Sequence, residues 1–129
     1  MQNFIAAKTV RQLAAKLFPG NDVQSFIQRQ RPRICPFEKL LCLIPPNASL
    51  LDLGCGSGLF LGLAAELDLI SSALGIDRRQ QVIATAKEMK RRINYGRGKL
   101  STRPNLIRGF GFLFFAARGT VLCWTSPFV

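Results

Sequence analysis

The sequence predicts an α/β fold: a parallel sheet with flanking helices, preceded by a helical segment. Three observations predict it. Two short apolar runs, residues 49–53 and 72–77, are bounded by turn residues, the pattern of strands buried on both faces. Each run is followed by a stretch with helical apolar spacing, residues 59–67 and 80–93. A glycine-rich turn, Gly54-Cys55-Gly56-Ser57-Gly58, joins the first strand to its helix. Strand–helix–strand–helix order of this kind makes the two strands parallel neighbours with a right-handed crossover.

The elements before the first strand read as helices. Residues 1–18 place Phe4, Ile5, Val10, Leu13, Leu17 and Phe18 at helix-like spacing, with Lys8, Arg11 and Lys16 between them. Such a basic amphipathic helix suits an organelle presequence or a membrane surface. The simpler expectation is that it packs on its own domain. Asn21-Asp22 is expected to cap a second helix over residues 23–30, which Arg31-Pro32-Arg33 should break. Pro36 suits the start of a third helix through Leu43, ended by Pro45-Pro46-Asn47. The chain thus divides into a helical segment (1–48), a strand–helix–strand–helix core (49–95) and a basic tail (96–129). Within the tail, residues 105–108 read as a third strand, and residues 111–115 and 120–124 are apolar and β-prone.

With 129 residues the chain makes one domain, and 48% hydrophobic residues suffice for a core. No run of eighteen apolar residues free of charge occurs, so no membrane-spanning helix is expected. The formal charge is +11. Its distribution is uneven: residues 89–129 hold eight basic residues and no acid, whereas residues 1–88 hold ten basic and seven acidic. A basic tail of this kind raises nucleic acid or a protein as a possible partner. The chain has no histidine, which removes Ser-His and Cys-His nucleophile pairs. Cys35, Cys42, Cys55 and Cys123 lack metal-site spacing, so no metal is expected and the thiols read as reduced and cytoplasmic.

The chemistry concentrates at two places. Asp52-x-Gly54-x-Gly56-x-Gly58 leaves a strand and enters a helix, and Asp77 ends the next strand nineteen residues after Gly58. Glycines let a backbone approach a ligand closely, and a helix N-terminus offers free N–H groups. An acid at the tip of the second strand suits ribose hydroxyls. The dinucleotide pattern G-x-G-x-x-G fails here, because Leu59 or Leu61 stands where its third glycine belongs. No phosphate-loop motif G-x-x-x-x-G-K-[ST] occurs either.

Residues 50–58, Leu-Leu-Asp-Leu-Gly-Cys-Gly-Ser-Gly, resemble the first motif of class I S-adenosylmethionine-dependent methyltransferases, which have a Rossmann-like sheet. Ala73-Leu74-Gly75-Ile76-Asp77, followed by a helix carrying Ala84 and Ala86, resembles the second. The resemblance implies that S-adenosylmethionine is the cofactor. It implies that the backbone of Gly54, Cys55, Gly56 and Gly58 lies against its amino-acid part. It further implies that Asp52 helps orient the methionine amino group and that Asp77 holds the ribose. The segment Pro36-Phe37-Glu38 also lies where the family approaches the cofactor, although Glu38 reads more simply as an exposed helix residue. The methyl acceptor is left open, a small molecule being favoured, as is the oligomeric state.

The sequence also departs from the family. Its seven-stranded sheet needs a longer chain, so an incomplete sheet is expected. No Asn-Pro-Pro-Tyr or equivalent appears, and no acid follows residues 105–108, so no catalytic residue is assigned. The acid-free tail is expected to come from a truncated or out-of-frame gene. The alternative is a degenerate methyltransferase-like domain whose basic tail binds nucleic acid or a protein. A nicotinamide-dependent oxidoreductase is disfavoured by Leu59 and Leu61.

Overall fold

The computed structural model of the chain describes residues 4–77, 79–93, 99–104, 115–117 and 120–124, with side chains for residues 4–77 and 79–93. Three helices come first: α1 (Ala7–Leu17), α2 (Val23–Ile34) and α3 (Phe37–Leu41). Then β1 (Ala48–Leu53), α4 (Leu59–Glu66), β2 (Ile70–Asp77) and α5 (Gln80–Lys90) alternate. Three strands follow: β3 (Lys99–Pro104), β4 (Phe115–Ala117) and β5 (Thr120–Trp124).

The five strands form one sheet in the order β3-β2-β1-β5-β4. β1 lies between β2 and β5 and is parallel to both, and β3 is parallel to β2. Only β4 runs antiparallel among these pairings. The fold is therefore the expected Rossmann-like α/β sheet, with five of the seven expected strands among the described residues. In the β1–β2 register Asp52 stands beside Gly75 and Leu53 beside Ile76, so both strands end at the same edge. That edge is where the glycine turn lies.

The core forms where α4 meets its neighbours. α4 packs on β2, α1 and α5. Its residues Leu59 through Ala65 are all buried, which explains a helix that is apolar all round. Gly62 is needed for this closeness, because a Cβ there would come within 2.7 Å of Met89 Sδ and 2.9 Å of Leu17 Cδ1. Phe37 of α3 stacks on Phe60 with ring centroids 5.9 Å apart. α1 buries Val10, Ala14 and Leu17, so its apolar stripe is spent on the domain itself, as expected. Phe4 departs from that stripe: it precedes the helix and is exposed.

Three sequence expectations are corrected. α2 does not break at Arg31-Pro32 but continues to Ile34, with Pro32 buried inside it. Proline removes one helical donor, and the turn is closed instead by Cys35 N–H donating to the Arg31 carbonyl at 2.8 Å. The third strand is residues 99–104, earlier than expected; residues 105–108 lie outside the described residues. Glu38 is half-buried rather than exposed, with Oε2 enclosed and without a hydrogen-bond partner. The expected cap of α2 does form: Asp22 Oδ1 accepts from Ser25 N–H at 2.9 Å, and its Oδ2 accepts from the Ser25 hydroxyl at 2.7 Å.

Two arginines close the carboxyl end of α1. Arg29 donates to the carbonyls of Phe18 and Gly20 at 2.7 and 2.6 Å. Arg92 donates to the Leu17 carbonyl at 3.2 Å. Cations at a helix C-terminus meet its unsatisfied carbonyls and its dipole.

Candidate functional site

The glycine turn is built by backbone geometry. Gly54, Gly56 and Gly58 all have positive φ, at 77°, 55° and 79°. Residues with a Cβ resist this region, which explains the spacing of the three glycines. The turn is pinned to the second strand by Gly54 and Cys55 N–H groups, which donate to the Ile76 carbonyl at 2.7 and 3.1 Å. Gly56 and Gly58 then face different surroundings. A Cβ on Gly58 would press on α5, 2.9 Å from Met89 Cε and 3.3 Å from Ala86 Cβ. A Cβ on Gly56 would meet only two guanidinium groups at ordinary distance, Arg31 Nη1 at 3.7 Å and Arg79 Nη2 at 3.8 Å.

The two expected carboxylates are in the site but in opposite states. Asp52 is fully buried and neither of its oxygens has a hydrogen-bond partner. Burial, with Asp77 adding to it and Arg31 opposing it, pushes its carboxyl up to about 7. Asp77, also buried, is saturated. Its Oδ2 accepts from Gly56 N–H at 2.9 Å, and its Oδ1 accepts from Arg79 N–H at 2.8 Å and Arg79 Nε at 3.3 Å. Burial raises Asp77, but the Arg79 and Gly56 donors together outweigh it and hold the carboxyl below its ordinary value.

Cys55 turns its side chain into the core. Its Sγ would lie 2.7 Å from a Cβ on Gly75, so Cys55 and Gly75 fit each other. Burial, reinforced by Asp52 and Asp77, pushes the thiol up to about 12, which removes it as a nucleophile at neutral pH. Its thiol also donates to the Gly56 carbonyl at 3.6 Å, so the side chain is held between the core and the turn. Ser57 is buried too, and its hydroxyl accepts from Gln24 Nε2 at 2.7 Å and Gln28 Nε2 at 3.4 Å.

These contacts identify residues that sequence reasoning missed. Gln24, Gln28 and Arg31 lie three to four positions apart along α2, on one side of the helix, and that side covers the glycine turn. A helix drawn through Pro32 reveals this polar row; a helix ended at residue 30 hides it. Arg79 follows Asp77 by two positions and was legible only as a surface charge. Arg31 stands over Gly56 and forms no ion pair among the described residues. Gln28 Oε1 and Glu38 Oε2 are further enclosed oxygens without partners. A buried acceptor left unpaired costs about 1–3 kcal/mol, so the orphaned oxygens of Asp52 and Gln28 beside the turn mark a place suited to a polar ligand.

A surface cavity among the described residues lies elsewhere. It measures about 410 Å³ and is lined by residues such as Leu43, Pro45, Pro46 and Asp68, before β1 and β2, at the amino ends of the strands. Ligands of open α/β sheets sit at the carboxyl ends, where the orphaned groups are, so the chemistry rather than the hollow locates the site.

No protein-family model and no characterised protein sequence matches the chain. Among solved structures, a SAM-dependent methyltransferase from Aquifex aeolicus aligns at a TM-score of 0.51 and 14% identity, over 85% of this chain and 52% of that one. The chain has the class I methyltransferase fold. A SAM-dependent methyltransferase from Thiobacillus denitrificans, in complex with S-adenosylhomocysteine, aligns at 0.44 and 22% identity, over 81% of this chain and 32% of that one. A phosphoethanolamine N-methyltransferase from Haemonchus contortus aligns at 0.48 and 20%, over 81% and 23% respectively. The chain spans about half the length of the Aquifex structure and a third or less of the other two. In this methyltransferase fold, the glycine turn follows β1 and Asp77 ends β2, the places where the sequence put them.

Among the described residues no helix is long and apolar enough to cross a membrane, and no cluster of metal-ligating side chains occurs. The basic residues expected to form a nucleic-acid surface are partly engaged. Arg91 and Arg92 pair with Glu88 at 2.8 and 3.7 Å. Arg97 and the side chain of Lys99 lie outside the described residues.

Proposed function

We propose that this chain binds S-adenosylmethionine across the glycine turn and serves a methyltransferase, with a small molecule as acceptor. One observation carries the reading: an unpaired guanidinium, Arg31, and an unpartnered carboxylate, Asp52, stand at the same turn. A free amino acid carries the complementary pair of charges. In this reading Arg31 receives its carboxylate and Asp52 its ammonium group. Gly54 and Gly56 keep the backbone bare for close approach, and Cys55 and Gly58 contribute through the backbone alone. Asp77 receives the ribose hydroxyls in competition with Arg79. The solved neighbour from Thiobacillus denitrificans, crystallised with S-adenosylhomocysteine, agrees with this choice of ligand.

The bound cofactor supplies an electrophilic methyl group on a sulfonium. The chain's part is to orient it and exclude water, which is the main demand of an in-line displacement. α2 does this from above the turn, held there by Gln24 and Gln28 on Ser57. The reading places the protein in the cytoplasm, where thiols such as those of Cys35 and Cys55 stay reduced.

Calorimetry with S-adenosylhomocysteine tests the proposal. Micromolar binding is expected, weakened about tenfold or more in Arg31→Ala and in Asp52→Asn, since a charge-assisted bond is worth about 1.5–3 kcal/mol. Affinity should also rise between pH 6 and pH 8 as Asp52, titrating at about 7, becomes the carboxylate that an ammonium needs. A folded sample that ignores millimolar ligand would refute the reading.

A further inference from the structure

α2 is inside out. Its buried residues are Ser25, Gln28 and Pro32, whereas Val23, Phe26, Ile27 and Ile34 are exposed at 75%, 55%, 42% and 85%. Positions 23, 26, 27 and 34 recur at helical spacing and form one stripe about 16 Å long, at about 1.5 Å per residue. An exposed apolar stripe of this length on a surface helix marks an interaction site.

Two further facts say what it meets. Every large hydrophobic residue exposed among the described residues falls within residues 4–43. The same segment carries seven basic and two acidic residues, whereas residues 44–93 carry six and five. Exposed apolar residues and excess positive charge therefore fall in the same segment of the chain. Arg33, Lys39, Lys8 and Arg11 are exposed and form no ion pair among the described residues. α2 itself contains no acid after its cap, so a second copy set against the stripe would bring Arg33 no partner from that helix. Nucleic acid satisfies the charges but offers no apolar surface to Val23 or Ile34.

We propose that the outer face of α2 docks on an anionic lipid surface, with Phe26, Ile27 and Ile34 entering the headgroup boundary and the neighbouring basic residues meeting lipid phosphates. An interfacial helix of this kind joins an apolar strip to flanking cations, and each cation near the surface adds about a factor of five. A bilayer closes around a convex single-helix ridge without needing a complementary groove. The proposal is independent of the cofactor reading, because the stripe lies on the side of α2 away from the glycine turn. It also moves the membrane-surface role from α1, whose apolar stripe is buried, to α2.

Sedimentation of the full chain with phosphatidylcholine vesicles, with and without phosphatidylglycerol, tests this. About tenfold stronger association with the anionic vesicles is expected, falling as salt rises. Phe26→Ser/Ile27→Ser and, separately, Ile34→Ser should each lose about tenfold while keeping the wild-type melting curve. Absence of vesicle binding, equal binding by the variants, or equal binding to neutral vesicles would each overturn the proposal. So would a concentration-dependent dimer in light scattering that the same variants abolish, which would give the stripe to a second copy. Loss of S-adenosylhomocysteine binding with vesicle binding intact would leave it standing.

Discussion

Burying Asp52 without a hydrogen-bond partner carries a cost in stability that depends on pH. Its carboxyl is raised from 3.8 to about 7, mainly by burial. The folded state therefore holds its proton more tightly than the unfolded state does. Its contribution to stability is undiminished below about pH 4, declines as pH rises toward 7, and is level above that. The cost at pH 8 is about 4 kcal/mol at most, at 1.36 kcal/mol per pKa unit. Asp52→Asn should thus melt higher than wild type at pH 8 and match it near pH 4, in thermal scans by circular dichroism. A constant difference across that range would remove the burial argument. Two glycines of the turn offer a second contrast. Gly58→Ala meets Met89 and Ala86 and forces a positive φ on alanine, so a loss of about 2–4 kcal/mol is expected. Gly56→Ala bears only the φ cost, about 1–2 kcal/mol, but fills the space between Arg31 and Arg79. It should fold and lose ligand affinity, and chemical denaturation beside calorimetry separates the two effects.

At the level of elements, the turn between β2 and α5 decides how available Asp77 is. Arg79 reaches Asp77 with its backbone N–H and with its side chain. Arg79→Ala keeps the backbone donor and removes the side-chain competitor. Affinity for S-adenosylhomocysteine should rise several-fold; a fall would make Arg79 a ligand contact instead. α2 illustrates a different lesson. Its polar row is held to the glycine turn by Ser57, and Arg29 ties it to the end of α1. A proline two residues before the end of the helix is a fair reason to stop it there, yet Pro32 is buried inside α2 and the helix runs on to Ile34. Local propensity is a weak guide where burial supplies several kcal/mol.

At the level of the molecule, the charge separates into structural and free parts. Arg29 and Arg92 close α1, Lys16 pairs with Glu66, and Arg91 pairs with Glu88. The exposed cations left over, Lys8, Arg11, Arg33 and Lys39, fall in the same segment of chain as the exposed large hydrophobic residues. The sheet gathers strands from both ends of the core, since β5 pairs with β1 across about seventy residues of chain. The region read from sequence only as a β-prone tail therefore contributes strands to the same sheet.

The sequence by itself determined the glycine turn, the two strands that flank it, the helices α4 and α5, the cap at Asp22 and the positions of Asp52 and Asp77. All of these are local patterns: a period, a positive φ that only glycine adopts readily, a capping side chain. Tertiary structure alone decided that α2 continues through Pro32 and covers the turn, that Arg31 stands over Gly56, that Asp77 accepts from the Gly56 N–H, and that the apolar face of α2 points outward. Those facts depend on contacts between residues far apart in the chain, such as Gln24 with Ser57, thirty-three positions on. No local period encodes such a contact. It follows only when the core has closed and each polar group has found, or failed to find, a partner.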